Sequence, residues 1–134
     1  MSAGNQLLIT VYLNIVMLSQ QHRFHGHGSL RYVYKNGKAI RAQRLTVKYS
    51  NNPHRKHSRF AVVISKKVLK SAVGRNRIRR RIYEVIRHEL PKFASPSDVV
   101  VLVFSREVMH MPHEELTEAI RDMFAEAGLY QKQR

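Results

Sequence analysis

Between positions 44 and 49 the chain alternates. Leu45, Val47 and Tyr49 fall on one side and Arg44, Thr46 and Lys48 on the other, the period of two that marks a half-buried strand. Asn36 to Gln43 predicts a less regular strand before it, and the polar stretch Ser50 to Ser58, with Asn51, Asn52 and Pro53, predicts a loop after it. The run Phe60 to Ile64 within Arg59–Ser65 is apolar without a break, which predicts a strand at a central position in the sheet. Asp98 to Ser105 is apolar on both faces, as a strand buried between layers would be. Other stretches carry the helical period. Leu30, Val33 and Tyr34 share a face in Leu30–Asn36, with Ser29 as a candidate cap and Gly37 as the stop. Ile78, Ile82, Val85 and Ile86 form a stripe in a helix that ends at Pro91. After Pro112, Leu116, Ala119, Ile120, Met123, Phe124 and Ala127 form another, with Glu114, Glu115 and Glu118 near its positive end and Gly128 as a C-cap. The order α-β-β-β-α-β-α predicts an α+β two-layer sandwich, a small mixed four-stranded sheet with helices packed on it.

Composition narrows what such a fold does. The 134 residues fit one domain with a real core, and the absence of cysteine excludes disulfides, thiolate metal sites and cysteine nucleophiles and fits a reducing cytoplasm. Residues 17 to 134 are read as that single domain and residues 1 to 16 as an N-terminal extension outside it, with Met17 a candidate initiator. The apolar run Leu7 to Leu18 is too short for a membrane helix, which needs about 20 residues.

The net charge of +15 is unevenly placed: residues 1 to 83 hold eighteen Lys/Arg and no carboxylate, and residues 84 to 134 hold six against nine acids. A basic region of this density calls for a polyanion, and the narrow apolar stripes leave nothing for a membrane surface, so a nucleic acid is the expected partner. The charge concentrates at one place. Lys66, Lys67 and Lys70 run through a turn into Arg75, Asn76, Arg77, Arg79 and Arg80 at a helix start, where backbone amides add anion affinity. Asn76, the uncharged member, is a candidate helix cap.

Catalytic constellations are sparse. His88 with Glu84 or Glu89 is the nearest acid and base set, on what reads as a solvated helix face. Ser65 beside Lys66 has no partner or oxyanion motif. The carboxylates form no paired metal signature, and His25 and His27 have no third ligand at helical spacing, so they read as a polar lead-in.

The stretch FAVVISKKVLKSAVGRNRIRRRI resembles the signature of the bacterial ribonuclease P protein subunit: a Ser-Lys-Lys strand end followed by an Arg-Asn-Arg helix start. LRYVYKNGK resembles that family's first helix and turn, DVVVLVFS its last strand, LTEAIRDMFAEAGLY its closing helix and MLSQQHRF its mature start, so the resemblance runs from about Leu18 to the C-terminus. It implies a protein that joins a large catalytic RNA and assists removal of the 5′ leader from precursor tRNA. The RNA would carry the active site and its magnesium ions, with no organic cofactor, no membrane and no obligate protein partner. Lys66, Lys67, Lys70, Arg75, Asn76, Arg77, Arg79 and Arg80 would contact that RNA. A cleft between the first helix and the sheet, with Tyr34, Arg44, Lys48 and Phe60, would hold the single-stranded leader. The resemblance also implies a left-handed strand-helix-strand crossover, against the general rule. Two positions depart from the family pattern: Leu30 stands where an aromatic is frequent and Leu69 where glycine is usual. The alternative is a ribosomal or other structural RNA-binding protein with no part in cleavage.

Overall fold

The computed structural model describes residues 20–24 and 28–132. The readings of residues 1 to 16 and of His25 and His27 fall outside that range. Helix α1 (Gly28–Asn36) leads into strands β1 (Lys38–Arg41), β2 (Leu45–Asn51) and β3 (Arg59–Ile64), then α2 (Ala72–Glu89), β4 (Ser97–Val103) and α3 (His113–Glu126). Short 3-10 turns occupy Gln20–His22, Leu90–Lys92 and Arg106–Met109. The strands lie in the order β1-β2-β4-β3, with β1 and β4 antiparallel to β2 and β3 parallel to β4.

One strand is misplaced by the sequence reading. The unbroken apolar stretch 60–64 does not mark a central strand: β3 is an edge, and the interior position belongs to β4. The reason is that only one face of β3 is fully buried: Phe60, Val62 and Ile64 enter the core while Ala61 and Val63 are half-buried, so an unbroken apolar run did not require an interior place. Its outer edge is itself partly screened, by a parallel bridge between Arg23 and Phe60 and by the Tyr83 hydroxyl, which accepts from Val62 N–H at 3.2 Å.

The register sets the two faces apart. Leu45 opposite Val103, Val47 opposite Val101 and Phe60 opposite Val99 send their side chains to one side, where they meet Ile78, Ile82 and Ile86 of α2 and Leu116, Ile120 and Phe124 of α3. Each such side chain contributes roughly 1.5–3 kcal/mol when fully buried. Thr46, Lys48 and Val100 point to the other face, which α1 covers by packing on β2 and β4 with Val33 fully buried. Gly37 allows that approach. A Cβ there would lie 2.5 Å from the Val33 carbonyl oxygen and 2.9 Å from that of Tyr49, both backbone atoms that cannot yield. At the far end of the chain Gly128 adopts φ of 74° after α3, as its expected C-cap role requires. No helix among the described residues is long and apolar enough to cross a membrane.

Candidate nucleic-acid interface

The turn between β3 and α2 is built by Ser65. Its carbonyl accepts from Val68 N–H and Leu69 N–H at 3.1 and 3.2 Å, and its hydroxyl accepts from Val68 N–H at 3.3 Å. Lys66 and Lys67 therefore ride on a closed turn and project into solvent. Ser71 caps α2, its hydroxyl accepting from Gly74 N–H at 3.1 Å, so the cap is not Asn76. Asn76 lies in the helix, and its side-chain carbonyl accepts from the Arg79 guanidinium at 2.9 Å. Leu69, half-buried, folds over Gly74, where a Cβ would come within 2.7 Å of its Cδ2. The departure from glycine at position 69 is thus accommodated by a glycine five residues later.

The cations of this segment divide into two sets. Arg75 donates to the carbonyls of Leu69 and Lys70 at 2.9 and 2.8 Å and braces the turn. Arg79 is half-buried, and burial first, then the nearby Arg75 charge, lowers its pKa. Arg81 donates to the Val108 carbonyl at 2.6 Å and to that of Met111, fastening α2 to the 3-10 turn Arg106–Met109. Lys66, Lys67, Lys70, Arg77 and Arg80 make no hydrogen bond or ion pair among the described residues and are exposed. They surround a helix start with no acidic residue in its first turn, where the orphan amides and the helix dipole favour an anion.

The second surface is the groove between α1 and the sheet. Lys48 donates to the Tyr34 carbonyl at 3.1 Å, with its ammonium 5.3 Å from the Tyr34 ring centroid. Tyr34 stays partly exposed, and burial of the rest of the ring pushes its pKa up, so its hydroxyl remains protonated. On the other flank of α1, a depression of about 480 Å³ is lined by Gly28, Ser29, Tyr32, Ser50, Asn52 and Arg55 among others. Its floor is a buried ion pair: Arg59 donates to both carboxylate oxygens of Asp98 at 2.8 and 2.6 Å, and Asn52 donates to Asp98 at 3.1 Å. Arg59 is thereby neutralised, and the charge available at the rim is that of exposed Arg55.

Of the residues assigned to this cleft, one is buried elsewhere and one has its charge engaged. Phe60 is 1% exposed and belongs to the opposite face, with its ring centroid 5.5 Å from Phe93 and 6.4 Å from Phe124. Strand alternation with Val62 and Ile64 fixes that outcome, because all three side chains must enter the core together. Arg44 precedes β2, and Glu107 and Glu115 hold it at 2.8 and 3.5 Å. The structure adds Tyr32, 58% exposed on α1, which lies two residues before Tyr34 and carried no separate signal in the sequence.

The acid and base candidates also separate. Glu84 receives Arg87 on both oxygens at 2.7 Å and His88 at 3.1 Å on an exposed face. Glu89 turns inward and is 1% exposed, receiving Arg121 at 3.0 Å, Tyr130 at 2.9 Å and Lys92 at 3.2 Å. Burial alone would raise the Glu89 pKa, but these donors outweigh it and hold the carboxyl below its ordinary value. Burial and the Glu89 carboxylate push the Tyr130 hydroxyl far up. The trio does not converge on one point. Nor do three His, Asp or Glu side chains among the described residues gather around a common point for a metal ion.

The family model for ribonuclease P matches residues 18–128. A ribonuclease P protein component of Synechocystis is 33% identical over 97 residues, covering 72% of this chain and 77% of that relative. One of Exiguobacterium is 29% identical over 116 residues, covering 87% and 98%. The ribonuclease P protein of Staphylococcus aureus superposes with a TM-score of 0.72 at 22% identity, over 82% of this chain and 98% of that structure. That of Thermotoga maritima gives 0.66 at 21% identity, over 75% and 92%. At these identities the structural likeness shows the fold.

Proposed function

The chain belongs to the ribonuclease P protein family and is thereby a protein component of ribonuclease P, associated with its RNA in tRNA processing; on that premise we propose how its surface serves the reaction. Lys66, Lys67, Lys70, Arg77 and Arg80 bind phosphates of the ribonuclease P RNA, with Arg75, Asn76 and Arg79 shaping the surface that presents them. The observation that carries this is the division itself: five cations left exposed around a helix start, in a segment whose other arginines are engaged by backbone carbonyls or Asn76.

The surface between α1 and the sheet takes the 5′ leader of precursor tRNA, with Tyr34 offering a ring face and Lys48 charge on one flank of the helix, and Tyr32 and Arg55 lining the depression on its other flank. Such a groove suits single strands of any sequence, since every base has a stackable face. The chemistry is left to the RNA, together with any magnesium ions the reaction uses. In support, Glu84, Glu89, Asp98, Glu107 and Glu115 are already engaged by the protein's own cations. The cysteine-free chain is compatible with work in the cytoplasm.

The test is 5′-end cleavage of a precursor tRNA at low magnesium by a bacterial ribonuclease P RNA, with and without this protein. Restored cleavage at the mature 5′ end is the expected result. Tight RNA binding without rescue would overturn the assisting role, and cleavage with no RNA added would place the active site in the protein.

A further inference from the structure

A second group of basic side chains lies at the far end of the sheet from the basic turn. A cavity of about 690 Å³ at the loop 52–58 is lined by His54, Arg55, Lys56 and His57, with Gln21 and Asn52 adding side-chain amides. No carboxylate among the described residues lines it.

The loop backbone is held in place while its charges are not. Asn52 N–H donates to the Pro96 carbonyl at 2.9 Å, Arg55 N–H to the Asn52 carbonyl at 3.1 Å and Ser97 N–H to the Ser58 hydroxyl at 3.0 Å. His22 Nδ1–H donates to the Ser58 carbonyl at 2.9 Å, and its ring packs edge-on against His57 with centroids 5.3 Å apart. The side chains of His54, Arg55 and Lys56 are exposed and make no hydrogen bond or ion pair among the described residues. Facing the two loop histidines are Arg55, Lys56 and Arg59 across the cavity and His22 from the 3-10 turn. The segment 90–96 beside His57 presents uncharged side chains to it, among them Leu90, Phe93 and Ser95. Asp98, which shares the neighbouring depression with His54, is closed off by Arg59 and Asn52. The charge of the loop is therefore left for an outside anion.

Its position says which anion. The loop and the basic turn mark the two ends of β3, roughly 20 Å apart at about 3.3 Å per residue. Lys48 of the leader surface pairs with Val100, midway along β4 between Ser97 at the loop end and Val103 at the turn end. A protein fixed to a large RNA at one end alone can pivot about that contact. Fixing it at both ends holds the surface between them in one place, as presenting a leader to an active site borne by that RNA requires.

We propose that the loop 52–58 is a second phosphate-binding site for the ribonuclease P RNA, and that His54 and His57 make its grip strengthen as pH falls. Histidine is the side chain that changes charge between pH 5 and 8, and a neighbouring phosphate favours its charged form. Lys66 to Arg87 contains no histidine, so the two sites respond differently to pH. The proposal deepens the reading of the basic turn given above and rests on it.

Affinity of the full chain for ribonuclease P RNA, measured against salt and pH, provides the test. Lys56→Ala lowers the slope of log affinity against log salt by about one, and its loss adds to that of Arg77→Ala because the two sites are far apart. From pH 8 to pH 6 the wild type gains about tenfold more affinity than the double variant His54→Gln, His57→Gln. These side chains are exposed, so the variants keep the wild-type melting temperature, which is checked alongside. In the reconstituted holoenzyme, Lys56→Ala keeps the wild-type preference for precursor over mature tRNA. Loss of that preference with unchanged affinity for ribonuclease P RNA gives the site to the leader and overturns the proposal. A lowered slope with an unchanged pH response upholds the phosphate site and overturns the part given to the histidines. Slope and pH response both left intact by the loop variants, while Arg77→Ala still weakens binding, overturn the loop site alone. If Arg77→Ala also leaves RNA affinity unchanged, the basic-turn reading falls with it.

Discussion

In the turn before α2 and along the first half of the helix, Lys66, Lys67, Lys70, Arg77 and Arg80 stand exposed, with no carboxylate in the first turn. At its C-terminal end the carboxylate of Glu89 is buried and receives Arg121, Tyr130 and Lys92, joining α2 to α3 and to the C-terminal tail. The tail is tied down there too, with Ala94 N–H donating to Leu129 and Gln131 N–H to Lys92 at 2.9 and 2.8 Å. Both ends are rich in basic residues, yet at one the cations face outward and at the other they satisfy an internal acid. Formal charge therefore overstates what a partner can reach. Arg44, Arg59 and Arg121 are held by carboxylates, and Arg75 and Arg81 by carbonyls.

That contrast separates substitutions that unfold the protein from substitutions that release RNA. The largest effect belongs to Arg59→Ala, which leaves Asp98 buried without its partner and lowers stability by about 3–5 kcal/mol in urea titration. Replacing both partners with Met and Leu recovers most of that loss, because no uncompensated charge remains. Next comes Glu89→Ala, which strands Tyr130 and its neighbours and costs about 1–3 kcal/mol.

Glu89 also has a pH signature. Its folded pKa lies below the unfolded value, so its contribution is fully present above the unfolded value of about 4.3 and fades as pH falls through the folded one. Glu89→Gln flattens that part of the acid limb in a stability-versus-pH series.

Arg77→Ala and Arg80→Ala act on the other end. Each leaves the urea midpoint unchanged, weakens RNA assembly and reduces the slope of log affinity against log salt by about one. Arg75→Ala gives the mixed result, loosening the turn as well as the RNA. The smallest effect on RNA is expected from Arg121→Ala: assembly is unchanged and only thermal stability declines, through loss of a donor to Glu89. Equal losses of RNA affinity for Arg77, Arg80 and Arg121 would abolish the distinction between the two ends.

The elements themselves were readable because their periods are strong. Alternation placed Leu45 and Val47 in the core, and the stripes of Ile78, Ile82, Val85 and Ile86 and of Leu116, Ile120 and Phe124 are the faces that α2 and α3 bury. Partners distant along the chain were not readable. Arg59 meets Asp98 across 39 residues and Arg44 meets Glu107 across 63, and no local pattern says which arginine will find an acid. Phe60 was open to a better reading, since its alternation with Val62 and Ile64 points it inward. Its aromatic character drew it into the cleft instead. The basic patch was legible as a region, but which of its arginines face outward depends on the carbonyls that the turn and the segment 106–111 present to Arg75 and Arg81.

The interior place of β4 has a consequence for how the chain is made. The strand that joins β2 to β3 is the last of the four in sequence, so during vectorial synthesis the sheet has no centre until residues 97–103 have left the ribosome. Every residue of the basic turn and of α2 precedes that moment. A nascent chain halted before β4 would carry eighteen of the twenty-four Lys/Arg in its first 83 residues, with β3 unpaired and the helix without most of its core. For that interval it is a sticky polycation instead of a selective binder, and completion of one apolar strand turns the first into the second.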